Sequence, residues 1–175
     1  KKNPIFDLKK KKVDILVNLS ASPYTFKKLE LRSKVSSFAA QYLQVPLIYV
    51  NQIGANDNLI FDGNSFILDK NGSKIKQLKS FSEDLSSWDI EQTKPQKNKF
   101  EKSEMSSIFD ALVLGVKDYA QKCGFKTALI GLSGGIDSAL VSAIATAALG
   151  SNNIYCVSMP SKWSSSHSKS DAKDL

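Results

Sequence analysis

The chain has 175 residues, 42% of them hydrophobic and 23% charged, with a net charge of +7. This is a globular composition, and its two cysteines exclude a disulfide framework and suit a reducing compartment. No apolar run approaches the roughly 20 residues of a membrane span and no signal-peptide core is present, so a cytoplasmic protein without membrane contact is expected.

Residues 1–12 hold six lysines and one acid, a +5 cluster that leaves only +2 for the remainder. Lys9 to Lys12 carry no interleaved aromatic rings, so the run reads as a solvated helix end and no nucleic-acid partner is expected. Val13 to Leu19 is predicted as a strand, ended by the turn Ser20-Ala21-Ser22-Pro23-Tyr24. Leu29 to Leu43 places Leu31, Val35, Phe38, Ala39 and Tyr42 at a spacing that fits one face of a helix. Pro46 to Val50 reads as a buried strand, Asn58–Asp62 and Asn64–Leu68 flank a turn at Gly63, and Asn71-Gly72 is a hairpin signal. Ser80 to Lys102 is polar, contains Pro95, and reads as a surface linker. Glu104 to Cys123 is predicted as a helix whose stripe Met105, Ile108, Phe109, Leu112, Val113, Val116 and Tyr119 faces a core. A strand over Thr127–Ile130, a helix over Ser138–Leu149 and a second parallel strand from Ile154, ended at Pro160, follow. Lys162 to Ser168 reads as a polar loop, with a last helix starting at Ser170 or Asp171. The expected division is 1–81, a linker 82–102, and 103–175; no internal repeat is present.

The stretch Gly131-Leu132-Ser133-Gly134-Gly135-Ile136-Asp137-Ser138 carries the clearest chemistry. A strand, a tight Gly-Gly turn and a helix N-terminus together present backbone N–H groups and the positive end of a helix dipole to an anion. Gly134 and Gly135 let the backbone approach a pyrophosphate closely. Ser133 and Ser138 can donate to phosphate oxygens, and Asp137 is placed to hold the Mg²⁺ that accompanies them. The loop lacks the lysine of a Walker A motif and the G-x-G-x-x-G of a dinucleotide fold. The alternative is an ordinary strand–helix turn with glycine for tightness and a polar N-cap.

Ser133-Gly134-Gly135-Ile136-Asp137-Ser138 resembles the S-G-G-x-D-S loop of the N-type ATP pyrophosphatases, which grips the pyrophosphate leaving ATP. With the V-S-M-P-S block at Val157–Ser161 and S-K-S-D-A-x-D-L at the end of the chain, it resembles the opening part of the synthetase domain of NAD synthetases. That resemblance implies an adenine nucleotide alpha hydrolase-like parallel sheet. It also implies adenosine contacts near Ser158, Met159 and Pro160, and a mobile loop over the phosphates at Ser161–His167. Upstream, N-L-S-A-S-P-Y, Y-V-N-Q-I-G and F-D-G-N-S-F resemble the later half of a nitrilase-type αββα sandwich. Glutamine-dependent members of the NAD synthetase family carry that domain ahead of the synthetase, where it releases ammonia from glutamine.

Nitrilase-type glutaminases use a Glu, a Lys and a nucleophilic Cys that precede N-L-S-A-S-P, and no such positions occur in this chain. The chain is therefore read as an internal piece of a longer enzyme, inactive as a glutaminase by itself. Cys123 and Cys156 are expected to be buried, inert thiols. The resemblance implies glutamine binding at Ser22 and at the basic residue Lys28, although Lys27 stands where the family writes glycine. The alternative for Lys28 is a solvated lysine at a helix start. The implied reaction is a ligase reaction: ATP with Mg²⁺ adenylates deamido-NAD, and ammonia displaces AMP to give NAD⁺. The helix at 104–123 is implied to help form a homo-oligomer. Other S-G-G-x-D-S ligases, such as GMP synthetase, asparagine synthetase or tRNA-modifying ligases, and a non-catalytic nucleotide-binding module are the alternatives.

Overall fold

The computed structural model describes residues 3–91, 94, 103–161 and 165–174. They fall into two units, Lys1–Gly54 with Asn58–Ile108, and Phe109–Leu175 with Ala55–Asp57.

The first unit opens with helix α1 (Pro4–Lys10), started by proline at its first position and capped by the Asn3 side chain, which accepts from the Ile5 amide. Strand β1 (Leu16–Ser20) runs parallel to β2 (Leu47–Asn51), which pairs antiparallel with β5 (Phe66–Leu68), itself antiparallel to β6 (Lys74–Gln77). Helix α2 (Lys28–Leu43) makes the crossover between β1 and β2 that parallel strands require. A separate two-stranded sheet pairs β3 (Ile53–Asn56) with β4 (Leu59–Asp62). Gly63 is therefore not a hairpin turn between the runs on either side of it. Its positive φ of 63° carries the chain from β4, paired with β3, into β5, paired with β2. Asn71-Gly72 does form the β5–β6 hairpin, with the Asp69 carboxylate accepting from the Asn71 and Ser73 amides at 2.9 and 2.8 Å. Ser37 donates to the Gly72 carbonyl and Gln41 to that of Asn71, so the hairpin tip is tied to α2. A Cβ on Gly72 would lie 3.0 Å from Ser37, which adds a steric demand to its φ of 77°.

The core lies between α2 and the sheet: Ala39 and Ala40 pack on Leu47, Tyr49, Phe66 and Leu68, with Tyr49 and Phe66 stacked at 4.9 Å. The apolar face of α2 is not the one that meets the sheet. Leu31, Val35 and Phe38 are more than half exposed, and the buried positions are Arg32, Ser36, Ala39 and Ala40. Small side chains bring the helix close to the sheet, and Arg32 is drawn inward by an ion pair. Strand β1 begins at Leu16, later than the expected Val13, and α2 begins one residue earlier than expected. Residues 82–87 and 89–91 are exposed, as the linker reading anticipated, but Pro95 to Lys102 lie outside the described residues.

Helix α3 (Glu104–Cys123), of which residues from Phe109 on belong to the second unit, has the expected bounds, but its stripe is mostly exposed: Met105, Phe109, Leu112, Val116 and Tyr119 face outward, and Ala111 and Ala120 are the buried positions. Strands β7 (Ala128–Leu132) and β8 (Ile154–Ser158) are parallel, in register from Ala128↔Ile154 to Leu132↔Ser158, and α4 (Ile136–Leu149) connects them. Strand β7 runs two residues beyond the expected Ile130, and α4 starts two residues before Ser138. The last helix, α5 (Ser166–Asp174), starts four residues earlier than the sequence signals suggested, so His167 lies on a helix and is exposed. Lys162 to Ser164 of the expected loop lie outside the described residues. Both cysteines are exposed free thiols, against expectation: Cys123 ends α3 at the surface, and β8 is covered too little for Cys156 to be buried. No helix among the described residues is long and apolar enough to cross a membrane.

Candidate functional site

The loop at 131–138 is built where β7 ends. Buried Leu132 anchors the strand, and Gly134 turns the chain with φ of 79° in the region that favours glycine. Gly135 is the N-cap of α4 in extended geometry, φ −91° and ψ 158°, so of the two glycines only Gly134 needs positive φ. Gly135 has no side chain to cap the helix, and two serines shape the turn in its place. Ser133 Oγ accepts from the Gly135 amide at 3.2 Å, while Ser138 Oγ accepts from the Ser133 amide at 3.3 Å and donates to the Gly135 carbonyl at 2.9 Å. The amides of Gly134, Ile136, Asp137 and Ser138 make no hydrogen bond among the described residues. A helix start with several free N–H groups and a positive dipole end is an anion site.

A cavity of about 190 Å³ opens on this loop, lined by Leu132, Gly134, Gly135 and Ser138, and by Asp171 and Ala172 of α5. The parallel register sets Ser158, Met159 and Pro160 beside the loop, at the same carboxyl edge of the sheet where α/β folds bind ligands. A Cβ on Gly131 would lie 3.1 Å from Met159 Cε, so the glycine gives the thioether its place; Met159 itself is 74% exposed. Asp137, in the first turn of α4, is exposed and forms no ion pair or hydrogen bond among the described residues. No group of three or more His, Cys, Asp or Glu residues gathers among them. One free carboxylate beside an anion site suits Mg²⁺, which takes few protein ligands and completes its shell with phosphate oxygens and water. The sequence reading missed Asp171, whose place on the cavity depends on how α5 folds back.

In the first unit, Ser22 is held from several sides. Asn51 Oδ1 accepts from the Ser22 amide at 2.8 Å, and Asn51 Nδ2 donates to its carbonyl at 3.2 Å. Arg32, 6% exposed, donates from Nε to Ser22 Oγ at 3.1 Å and from Nη2 to the carbonyls of Ser22 and Pro23 at 2.7 and 3.0 Å. Its Nη1 pairs with Asp62 Oδ1 at 2.7 Å, and Asp62, 1% exposed, also accepts from Asn64 Nδ2. Sequence reasoning found Ser22 but not Arg32, Asn51 or Asp62. The strings Y-V-N-Q and F-D-G-N-S-F contain two of them, yet nothing local says that they meet. Lys28 is half-buried at the start of α2, with no ion pair or hydrogen bond from its ammonium among the described residues. The Tyr24 phenol ionises above the usual 10.0, because burial and then the nearby Asp62 and Glu104 charges disfavour the phenolate.

Residues 2–97 match the family model for carbon-nitrogen hydrolase, and residues 108–175 that for NAD synthase. The chain is 49% identical over 178 residues to a glutamine-dependent NAD(+) synthetase of Synechocystis, covering 99% of this chain and 32% of that protein. A glutamine-dependent NAD(+) synthetase of Rhodobacter capsulatus is 39% identical, over 93% of this chain and 30% of its own length. The solved glutamine-dependent NAD+ synthetase of Acinetobacter baumannii, in complex with adenosine diphosphate, superposes with a TM-score of 0.90 at 37% identity, over 97% of this chain and 33% of that one. The chain thus spans about a third of the length of the relatives it matches.

Proposed function

The chain belongs to the carbon-nitrogen hydrolase family and continues into an NAD synthase domain, and from that premise we propose that it is a segment of a glutamine-dependent NAD⁺ synthetase. Residues 1–81 would be the later part of the glutaminase domain, 82–102 the linker, and 103–175 the opening of the ATP-binding domain. The observation that carries the reading is the loop with free amides at the start of α4, beside the ends of two parallel strands. The amides of Gly134, Ile136, Asp137 and Ser138, with the Ser133 hydroxyl and with that of Ser138 once it turns from the Gly135 carbonyl, would bind the β- and γ-phosphates of ATP. Met159 and its neighbours Ser158 and Pro160 would offer an apolar edge to the adenosine.

The nicotinate carboxylate of deamido-NAD attacks the α-phosphorus, the bond to the bridging oxygen breaks, and pyrophosphate leaves. Charge develops on that leaving group, and fixed N–H dipoles aimed at it lower the barrier without reorganising. Asp137 would hold Mg²⁺, which neutralises phosphate charge. Ammonia, drawn from glutamine in the other domain, then displaces AMP and leaves the amide. Glutamine would be bound through Ser22 and Lys28, a hydroxyl donor and a free ammonium suited to an amino-acid carboxylate. The exposed stripe of α3 suits self-association, and a cytoplasmic location fits the substrates. The comparisons favour this ligase over other S-G-G-x-D-S enzymes.

In the full-length enzyme, Asp137→Asn is expected to lower NAD⁺ formation by about 100-fold while glutamine hydrolysis continues. Unchanged synthesis would remove Asp137 from the site, and equal loss of both activities would mean a folding defect.

A further inference from the structure

We infer that Arg32 is a positioning residue of the glutamine site, holding Ser22 so that its hydroxyl proton is free to be donated to the ligand's carboxylate. The inference rests on the reading that Ser22 and Lys28 bind glutamine, and it says what makes Ser22 fit that task.

A serine carries one backbone donor, one backbone acceptor and a hydroxyl with a single proton and two lone pairs. In Ser22 the backbone donor is taken by Asn51 Oδ1, and the backbone acceptor by Asn51 Nδ2 and Arg32 Nη2. The hydroxyl oxygen accepts from Arg32 Nε. The hydroxyl proton and one lone pair of the oxygen are left without a partner among the described residues. A charged N–H at the oxygen also polarises that O–H bond, and so strengthens it as a donor. A carboxylate, which only accepts, matches the free and strengthened proton, whereas an ammonium would have to share an oxygen that already accepts from a cation.

Arg32 cannot itself serve as the ligand's cation. Its charge is matched at 2.7 Å by Asp62, and both groups are almost fully buried. Its role is geometric, and it depends on the planar fork that aims Nε and Nη2 at one turn while Nη1 faces the carboxylate. Lys28 lies four residues earlier on α2, which places it on the same side of the helix one turn nearer the N-terminus. An ammonium without a partner among the described residues and a hydroxyl with a free proton thus come from the same stretch of chain.

The test uses the full-length enzyme with glutamine or ammonium as the nitrogen source. Arg32→Lys keeps the charge opposite Asp62 but loses the fork. It is expected to raise KM for glutamine about tenfold or more, leaving kcat at saturating glutamine and ammonium-driven synthesis near wild type. Ser22→Ala should raise KM similarly, and the double variant should be no worse than either alone. Asn51→Ser, which loosens the same turn from the other strand, should also act on KM. A raised KM in Ser22→Ala with wild-type KM in Arg32→Lys or Asn51→Ser would overturn the positioning role and leave the glutamine site standing. A wild-type KM in Ser22→Ala would overturn the glutamine reading itself, and this inference with it. Parallel loss of glutamine- and ammonium-driven synthesis in Arg32→Lys would make the residue structural only and overturn the inference.

Discussion

Lys27 holds a backbone conformation that its side chain disfavours. It is the N-cap of α2 with φ 59° and ψ 10°, a left-handed conformation that costs a residue with a Cβ about 1–2 kcal/mol. Its ammonium lies 5.3 Å from the Phe26 ring centroid, an exposed contact that offsets part of that cost. Lys27→Gly is therefore expected to stabilise the fold by about 0.5 kcal/mol, read from the denaturation midpoint; a loss of stability would contradict the strain. The two loop glycines should separate in the same way. Gly134→Ala meets a φ of 79° and should cost about 1 kcal/mol of stability. Gly135→Val meets no such strain, but its Cβ would lie 3.3 Å from Ser133 Oγ and displace the hydroxyl that shapes the turn. It should lose ATP-dependent synthesis with little change in Tm, and a synthesis-competent variant would count against the phosphate loop. Tyr24 gives a pH signature: its raised pKa means stability that is complete below pH 10 and lost as pH rises through the folded value. Absorbance titration of the chain against Tyr24→Phe should show a phenol ionising above the usual 10.0 that the variant lacks. At this scale the loop was legible because its chemistry is local in sequence. The thiols were not, since exposure at Cys123 and Cys156 depends on which neighbours cover α3 and β8.

Helix α2 shows why element existence was easier to read than element orientation. Its apolar spacing announced a helix, but Leu31, Val35 and Phe38 form an outward stripe, with Phe38 stacked on Tyr42 at 6.0 Å. The sheet side is Arg32, Ser36, Ala39 and Ala40, which a hydrophobicity count ranks lower. Two forces chose that side: close packing against Leu47 and Phe66, and an ion pair to Asp62, thirty residues away. Neither is visible in a local window. Ala40, with no exposed surface, leaves no room for growth, so Ala40→Leu should destabilise by about 1–3 kcal/mol. Val35→Ser, on the exposed stripe of this chain, should stay within about 0.5 kcal/mol. The reverse order in a denaturant titration would contradict this orientation.

Across the whole molecule, two segments with separate family matches follow one another in the order found in glutamine-dependent NAD⁺ synthetases. The order and the motifs were readable because each is a run of neighbouring residues. The Ser22 network was not, because its members come from a turn, a helix and two strands. Among the described residues neither exposed cysteine forms a hydrogen bond or ion pair with a Glu or a Lys, so a protein of these 175 residues alone should release no glutamate from glutamine above a buffer control. The central claim is that the loop at 131–138 handles pyrophosphate for adenylation of deamido-NAD. It is tested most directly by exchange of labelled pyrophosphate into ATP, catalysed by the full-length enzyme with and without deamido-NAD. The expected result is exchange that requires deamido-NAD, needs no glutamine, and disappears in Gly135→Val. Exchange independent of deamido-NAD, or undiminished in that variant, would contradict the assignment.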